Sequence, residues 1–236
     1  MGELDGRVIA IAGAGGSLGP VVAQRFAEAG ATLALTDRDE VRLQSLKGEL
    51  GLEDDRFDSQ VVDLLDEGAA RAWCDSLVER FGRVDGLLHL VGGWRGGDPI
   101  ESFDLADYEW LHDLLVRTLQ HATRAFHDAL VASGNGRFAL ISSAQAQSPE
   151  GTNAAYAATK GAAESWTMAL ADSFKGTGAT ANVVVINAIL TPAMQEKHPR
   201  KEYPGFTPAD AIAKALVFIC SDAASRMNGQ RLSLHP

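Results

Sequence analysis

One stretch near the start restricts the fold more than any other. A short apolar run at residues 7–12 (RVIAIA) leads into Gly13-Ala-Gly-Gly-Ser-Leu-Gly19 and then an amphipathic run over 20–29. The apolar run has strand length and is bounded by a turn signal. Pro20 suits the first turn of a helix, because its missing N–H would find no partner there anyway. Strand, glycine-rich turn and helix in that order make a candidate phosphate-binding loop. Glycines let the backbone approach a pyrophosphate, and the first helical turn offers free N–H groups to it. Leu18 stands at the sixth position from Gly13, so the spacing is a longer variant of GxGxxG. Gly13, Ser17, Leu18 and Gly19 are the candidate contacts; a tight turn of structural glycines is the alternative.

The same alternation continues along the chain. Residues 32–36 (TLALT) read as a strand ending in Asp37, followed by a helix over 39–50. A third strand at 57–62 ends in Asp63-Leu64, and Gly82 stops a helix over 67–81. A fourth strand at 84–91 precedes one long helical pattern over 106–131. A fifth strand, 138–141, leads through a polar loop to a helix from 154 to 170, for which Asn153 is a candidate cap. A sixth strand at 181–188 is followed by a proline- and charge-containing excursion over 191–206 that reads as a lid. Thr207 would cap a helix over 208–220, and 231–234 is a last strand. Strands alternating with helices, without linker or repeat, predict one α/β domain over 1–236 built on a doubly wound parallel sheet.

Chemistry gathers at strand ends. A carboxylate at Asp37 can accept hydrogen bonds from an adenosine ribose diol and would repel a 2′-phosphate, which favours NAD(H). Arg38 beside it could turn to a phosphate and keeps NADP(H) open. Asp37 could also cap the helix that follows. In Gly92-Gly-Trp-Arg-Gly-Gly97, Trp94 either stacks on a flat ring or packs beneath its loop. Ser143 closes the fifth strand, and Tyr156 and Lys160 lie four apart on one helix face. A phenol with a pKa near ~10 transfers protons poorly at neutral pH, and a nearby ammonium would lower that pKa. A phenol so tuned can protonate an alkoxide or deprotonate an alcohol, with Ser143 holding the substrate oxygen. A Tyr and a Lys on a solvated face are the bland alternative; Ser143 at a strand end favours the chemical one.

The formal charge of −10 argues against a nucleic-acid or anionic-membrane surface. No apolar run is long enough for a signal or a membrane span. Cys74 and Cys220, far apart and without metal spacing, suggest a reducing, cytoplasmic setting. No cluster of His, Cys and carboxylates suggests a metal site.

In register, the 13–19 loop, Asp37, Asp63, Gly92, Ser143, Tyr156 and Lys160 resemble the short-chain dehydrogenase/reductase family over residues 6–234. The resemblance implies a three-layer Rossmann fold with strand order 3-2-1-4-5-6-7 and a nicotinamide cofactor. It implies hydride transfer between that cofactor and a carbonyl or alcohol. Ser143, Tyr156 and Lys160 would be catalytic. Asp63, Leu64, Val91, Gly92, Tyr156, Lys160, Ile189 and Thr191 would join the loop, Asp37 and Arg38 in holding the cofactor. Gly93, Trp94 and Ser143 would meet a small-molecule substrate. A homodimer or homotetramer is implied through the helices over 106–131 and 154–174, with Ala154, Ala155, Ala158 and Ala162 allowing close approach. The chain departs from the family at Ala12 and Ser17, at His89-Leu-Val-Gly92 in place of Asn-Asn-Ala-Gly, and at Leu115 in place of the tetrad asparagine. The 92–97 loop, Thr191-Pro192 and residues 206–208 are similar to dihydropteridine reductase, an atypical member that lacks the serine retained here. Its loop suggests a quinonoid or pterin-like ring, whereas Ser143 suggests ordinary carbonyl chemistry. From another class, a catalytically weak cofactor-binding regulator or scaffold would explain the departures.

Overall fold

A computed structural model describes residues 2–235 of the chain. Its centre is a parallel sheet of seven strands: β1 (Val8–Ala12), β2 (Thr32–Asp37), β3 (Phe57–Val61), β4 (Gly86–His89), β5 (Arg137–Ser143), β6 (Thr180–Ile186) and, further along the chain, β9 (Arg231–Ser233). They lie in the order β3-β2-β1-β4-β5-β6-β9. This is the expected order, with the last strand ninth in the chain because a small ladder intervenes. That ladder pairs β7 (Ala188–Leu190) with β8 (Phe206–Pro208).

Strands covered on both faces must be apolar on both, and every residue of β1, β5 and β6 is buried. Side chains alternate between two cores. Ile9, Ile11, Leu33, Leu35 and Ile141 face α1 (Gly19–Glu28) and α8 (Ala209–Cys220), where Phe26, Ile212 and Leu216 meet them. Ala10, Leu87, Phe138, Leu140 and Val183 face the other layer, α3 (Glu67–Phe81), α5 (Thr118–Ala132) and α6 (Ala154–Ser173). There Trp73 packs edge-on to Phe126, with ring centroids 4.8 Å apart. The chain winds outward from β1 through β2 to β3, then crosses to β4 on the other side of β1. A crevice opens at the carboxyl ends of β1 and β4, where the winding reverses. Two glycines shape it. Gly13 has φ +81°, and a Cβ there would sit 2.8 Å from the Val91 backbone nitrogen; a Cβ on Gly19 would sit 2.0 Å from the Ala14 carbonyl oxygen.

Several local expectations are corrected. The helix expected over 106–131 is not continuous. It comprises α4 (Leu105–His112), a π turn over Asp113–Arg117 and then α5. The Thr118 N–H reaches back five residues to the Asp113 carbonyl, which inserts one extra residue in the turn. Asp37 does not cap α2 (Glu40–Leu50). Asp39 does, accepting from the Arg42 N–H at 3.1 Å. Asn153 sits at the start of α6 without a capping bond, because its side chain is used elsewhere. Thr207 lies in β8 and donates its hydroxyl to the Leu234 carbonyl, so Pro208 precedes α8 instead. The 191–206 excursion is partly ordered: Thr191 caps α7 (Pro192–Lys197) before the chain returns to β8. Among the described residues, no helix is long and apolar enough to cross a membrane.

Candidate active site

The crevice encloses a cavity of about 880 Å³ that runs from the glycine turn to the 92–97 loop. Gly13, Ser17, Leu18, Asp37, Arg38, Asp63, Leu64, Val91, Gly92 and Ile189 line it, as do Gly93, Trp94, Ser143, Tyr156 and Lys160. Gly19 and Thr191 do not. Gly19 serves the close packing of α1 on the turn, and Thr191 turns its hydroxyl to the Met194 N–H at 3.3 Å.

At the β2 end the carboxylate of Asp37 is fixed by backbone. Oδ2 accepts from the Gly15 N–H at 2.9 Å, and Oδ1 from the N–H groups of Arg38 and Asp39 at 2.8 and 3.1 Å. A carboxylate has about four lone-pair sites, so some accepting capacity remains for a diol. A Cβ on Gly15 would come within 3.0 Å of that carboxyl. Arg42, a second guanidinium beside Arg38, donates to the Gly15 carbonyl at 2.6 Å and also lines the cavity. The α1 N-terminus carries no side-chain cap, so its first N–H groups are free to meet phosphate oxygens. Glycines where side chains would collide, uncapped N–H groups and a fixed carboxylate fit a dinucleotide with its pyrophosphate on the turn.

At the β5 end Ser143 is buried beside the Tyr156 phenol, and both line the cavity. Burial pushes that phenol above its ordinary pKa, and the nearby Ser143 hydroxyl opposes the shift. The lowering expected from Lys160 is absent. Its ammonium lies 5.8 Å from the Tyr156 ring centroid and donates to the Ile141 carbonyl at 3.0 Å. Burial lowers the Lys160 pKa to about 8, against the charge of Glu164 one turn along α6. Glu164 is itself buried; its Oε2 accepts from Arg231 Nε at 2.6 Å, and its Oε1 has no partner among the described residues.

Leu115, at the tetrad-asparagine position, does not face the cavity. It is 2% exposed and packs with Leu111 and Ala155. Around the π turn the residues that line the cavity are Trp110, Asp113, Leu114 and Thr118. The Thr118 hydroxyl donates to the Leu114 carbonyl at 2.6 Å, so its oxygen is left to accept from His89 Nε2 at 3.3 Å. That assigns the imidazole proton to Nε2 and leaves Nδ1 a bare acceptor, without a partner among the described residues. His89 is 1% exposed, and burial, followed by the Lys160 charge, holds its pKa down at about 3.

The 92–97 loop spans the mouth. Trp94 is 58% exposed, neither beneath its loop nor free: its indole N–H donates to Asn153 Oδ1 at 3.1 Å. The Gly97 N–H donates to the Thr152 carbonyl at 2.8 Å. On the other side Arg95 pairs with Asp107 and lays its guanidinium 4.0 Å from the Trp110 ring centroid. Asp113, Thr118, His89, Arg42 and Asn153 were not evident as site residues from sequence. The local pattern Asp113-Leu-Leu-Val-Arg-Thr118 singles out neither Asp113 nor Thr118, and the others depend on long-range contacts.

A family profile described as short chain dehydrogenase matches residues 7–202. Sulfoacetaldehyde reductase 2 of Chromohalobacter salexigens is 33% identical over 172 residues, covering 72% of this chain and 68% of the relative. Levodione reductase of Leifsonia aquatica is 29% identical over 241 residues, covering 94% of this chain and 90% of the relative. Among solved structures, an NAD+-bound xylitol dehydrogenase superposes with a TM-score of 0.86 at 23% identity, over 98% of each chain. A gluconate 5-dehydrogenase of Burkholderia cenocepacia J2315, in complex with NADP and tartrate, superposes at 0.84 with 26% identity, over 98% of this chain and 94% of that one.

Proposed function

The chain belongs to the short-chain dehydrogenase family and is an NAD(P)-dependent oxidoreductase; from that premise we propose that it interconverts a small flat carbonyl compound and its alcohol, with Tyr156 as acid and base. The observation that carries the proposal is the placement of the buried Ser143 hydroxyl beside the Tyr156 phenol at the carboxyl end of β5, inside the cleft that fits a dinucleotide. Bound there, the nicotinamide would supply a hydride to the carbonyl carbon or take one from the alcohol. Ser143 holds the substrate oxygen. Tyr156 gives that oxygen its proton during reduction and removes it during oxidation. A phenol raised by burial is fully protonated at neutral pH, which suits the reducing direction. Lys160, buried and tied to the Ile141 carbonyl, holds positive charge beside the phenol and the nicotinamide ribose. Gly13, Ser17 and Leu18 hold the pyrophosphate.

Asp37 favours NADH over NADPH by its charge, and the Arg38 and Arg42 pair sets how far that preference goes. Trp94 on the cleft mouth supports a flat ring, quinonoid rings included, as substrate. A homodimer or homotetramer through α5 and α6 fits the exposed Ala158 and Ala162; Ala155 instead faces inward against Leu111 and Leu115.

One observation favours the second reading, a catalytically weak cofactor-binding protein: the tetrad position is a buried leucine. Tyr156→Phe separates the two. For the enzyme, turnover of a ring ketone with NADH should fall by roughly 10²–10⁴, with NADH affinity changed little. Unchanged residual turnover, or NADH binding without turnover of any carbonyl or quinone, would leave the second reading standing.

A further inference from the structure

The substrate end of the cleft has an asymmetric charge pattern. Asp37, Arg38, Arg42 and Asp63 surround the adenosine end, balanced in sign. Beyond Ser143 and Tyr156 the charged lining groups are Lys160, committed to the Ile141 carbonyl, and Asp113. Arg95, another cation near the mouth, is held away by Asp107 and by the Trp110 face, and Arg117 is paired with Asp113 itself. Asp113 opens the π turn. It lies one turn after Trp110 and on the same helix face. Arg117 Nε at 2.9 Å and His112 Nδ1 at 3.8 Å both meet its Oδ1; Oδ2 has no partner among the described residues. The walls beside it are apolar. Trp110 and Leu114 press on Gly93, where a Cβ would lie 2.9 and 2.7 Å from them, and Trp94 hangs opposite on Asn153. Trp94 and Trp110 remain 58% and 37% exposed, an apolar rim that a planar ring would cover.

We propose that this end of the cleft selects flat, uncharged ring carbonyl compounds that carry an N–H or O–H donor on the edge away from the reacting carbonyl, with Asp113 as its acceptor. The proposal rests on the reading that Ser143 and Tyr156 hold the carbonyl oxygen. With that oxygen fixed, a ring lying along Trp94 and Leu114 presents its far edge toward the π turn. A donor there meets an unpaired carboxylate oxygen. A substrate lacking the donor forfeits that hydrogen bond and leaves the half-exposed oxygen to water, and a substrate bearing a negative group meets a carboxylate only partly offset by Arg117.

Isatin, N-methylisatin and ring-sulfonated isatin form a matched test: one flat ketone with its ring N–H present, with that hydrogen replaced, and with an anion added. With NADH, kcat/KM for isatin should exceed that for N-methylisatin by on the order of tenfold, mostly in KM, and the sulfonate should be poorest. Asp113→Ala should bring isatin and N-methylisatin within about twofold. Asp113→Asn, which keeps an acceptor oxygen without the charge, should keep part of that preference and relieve the sulfonate penalty. Calorimetric binding of the three compounds to the protein–NAD+ complex should give the same order, independently of turnover. Equal affinity for isatin and N-methylisatin, or a gap that survives Asp113→Ala, overturns the proposal. Because the binding measurement does not use Tyr156 chemistry, loss of turnover in Tyr156→Phe with the isatin preference intact supports the proposal. The reverse pattern, Tyr156-dependent turnover without any preference, overturns it and leaves the oxidoreductase reading in place.

Discussion

Acid should weaken this fold through one residue, His89. The imidazole is fully buried, bonded at Nε2 to Thr118 and bare at Nδ1, and lies within the field of the Lys160 ammonium. Its folded pKa is about 3, against an ordinary value of 6.5. The sign follows from proton counts. Below pH 6.5 the unfolded chain binds a proton at His89 and the folded chain does not, so stability present above 6.5 is lost as pH falls toward 3. Each pH unit in that window costs about 1.4 kcal/mol. From about pH 7.5 to about pH 4.5 the loss from this one group is therefore about 3 kcal/mol. For a chain of this size that is roughly 5–10 °C in Tm. Lys160, with a folded pKa of about 8, is already largely protonated at the upper end of the interval in both states and adds little to the difference. The measurement is thermal unfolding of wild type and His89→Asn at both pH values. Carboxylates titrate in both proteins, so the quantity that matters is the extra loss in wild type. If the two proteins lose the same Tm on acidification, His89 is not a buried neutral imidazole and the assignment of its bare Nδ1 is wrong.

Other outcomes follow from the same geometry. Asp37→Ala removes the charge that faces a 2′-phosphate while leaving Arg38 and Arg42, so the NADH/NADPH ratio of kcat/KM should fall by on the order of tenfold or invert; an unchanged ratio would show that the two arginines already decide the matter. Glu164→Gln removes the charge that supports the Lys160 ammonium, so Lys160 should titrate below about 8. The alkaline limb of the pH profile for ketone reduction should then move to lower pH, with no movement counting against a link from Glu164 to the site.

The fold was largely legible because its strands are short apolar runs bounded by turn signals and its helices carry their own stops. Gly82 ends α3 at φ +74° as expected from sequence. Boundaries slipped where a side chain had a stronger use elsewhere. Asn153 has the chemistry of a helix cap, but its carboxamide oxygen holds the Trp94 indole, 59 residues away in sequence. Thr207 has it too, yet its hydroxyl goes to Leu234. Local pattern cannot report such distant competitors. The π turn was hidden for another reason: the apolar residues Leu111, Leu115, Leu119 and Phe126 keep helical spacing through it, so one extra residue in the turn leaves no gap in the pattern.

That extra residue bears on how the departures at the site should be understood. Taken singly, Leu115 in place of an asparagine looks like loss of a functional group. In the structure Leu115 is a core residue, and the polar contact to β4 is made one turn later, from Thr118 to His89. His89 is the first residue of the altered Asn-Asn-Ala-Gly stretch, so two departures that look independent in sequence touch each other in space. A leucine at 115 needs an apolar partner, which Ala155 beside Tyr156 provides. A histidine at 89 needs a hydroxyl, which Thr118 provides while the π turn aims Asp113 and Leu114 into the cleft. The same wall carries Trp110 and receives Gly93, so the unusual 92–97 loop is a third part of one rearrangement. Ser143, Tyr156 and Lys160 lie on β5 and α6, and α6 packs directly against that wall, with Tyr156 touching the same cluster as Leu114. The changes therefore leave Ser143, Tyr156 and Lys160 in place and remodel the surface that packs beside them. A change of substrate would require such a remodelling, and the loss of turnover in Tyr156→Phe is the result that separates it from decay of the catalytic centre.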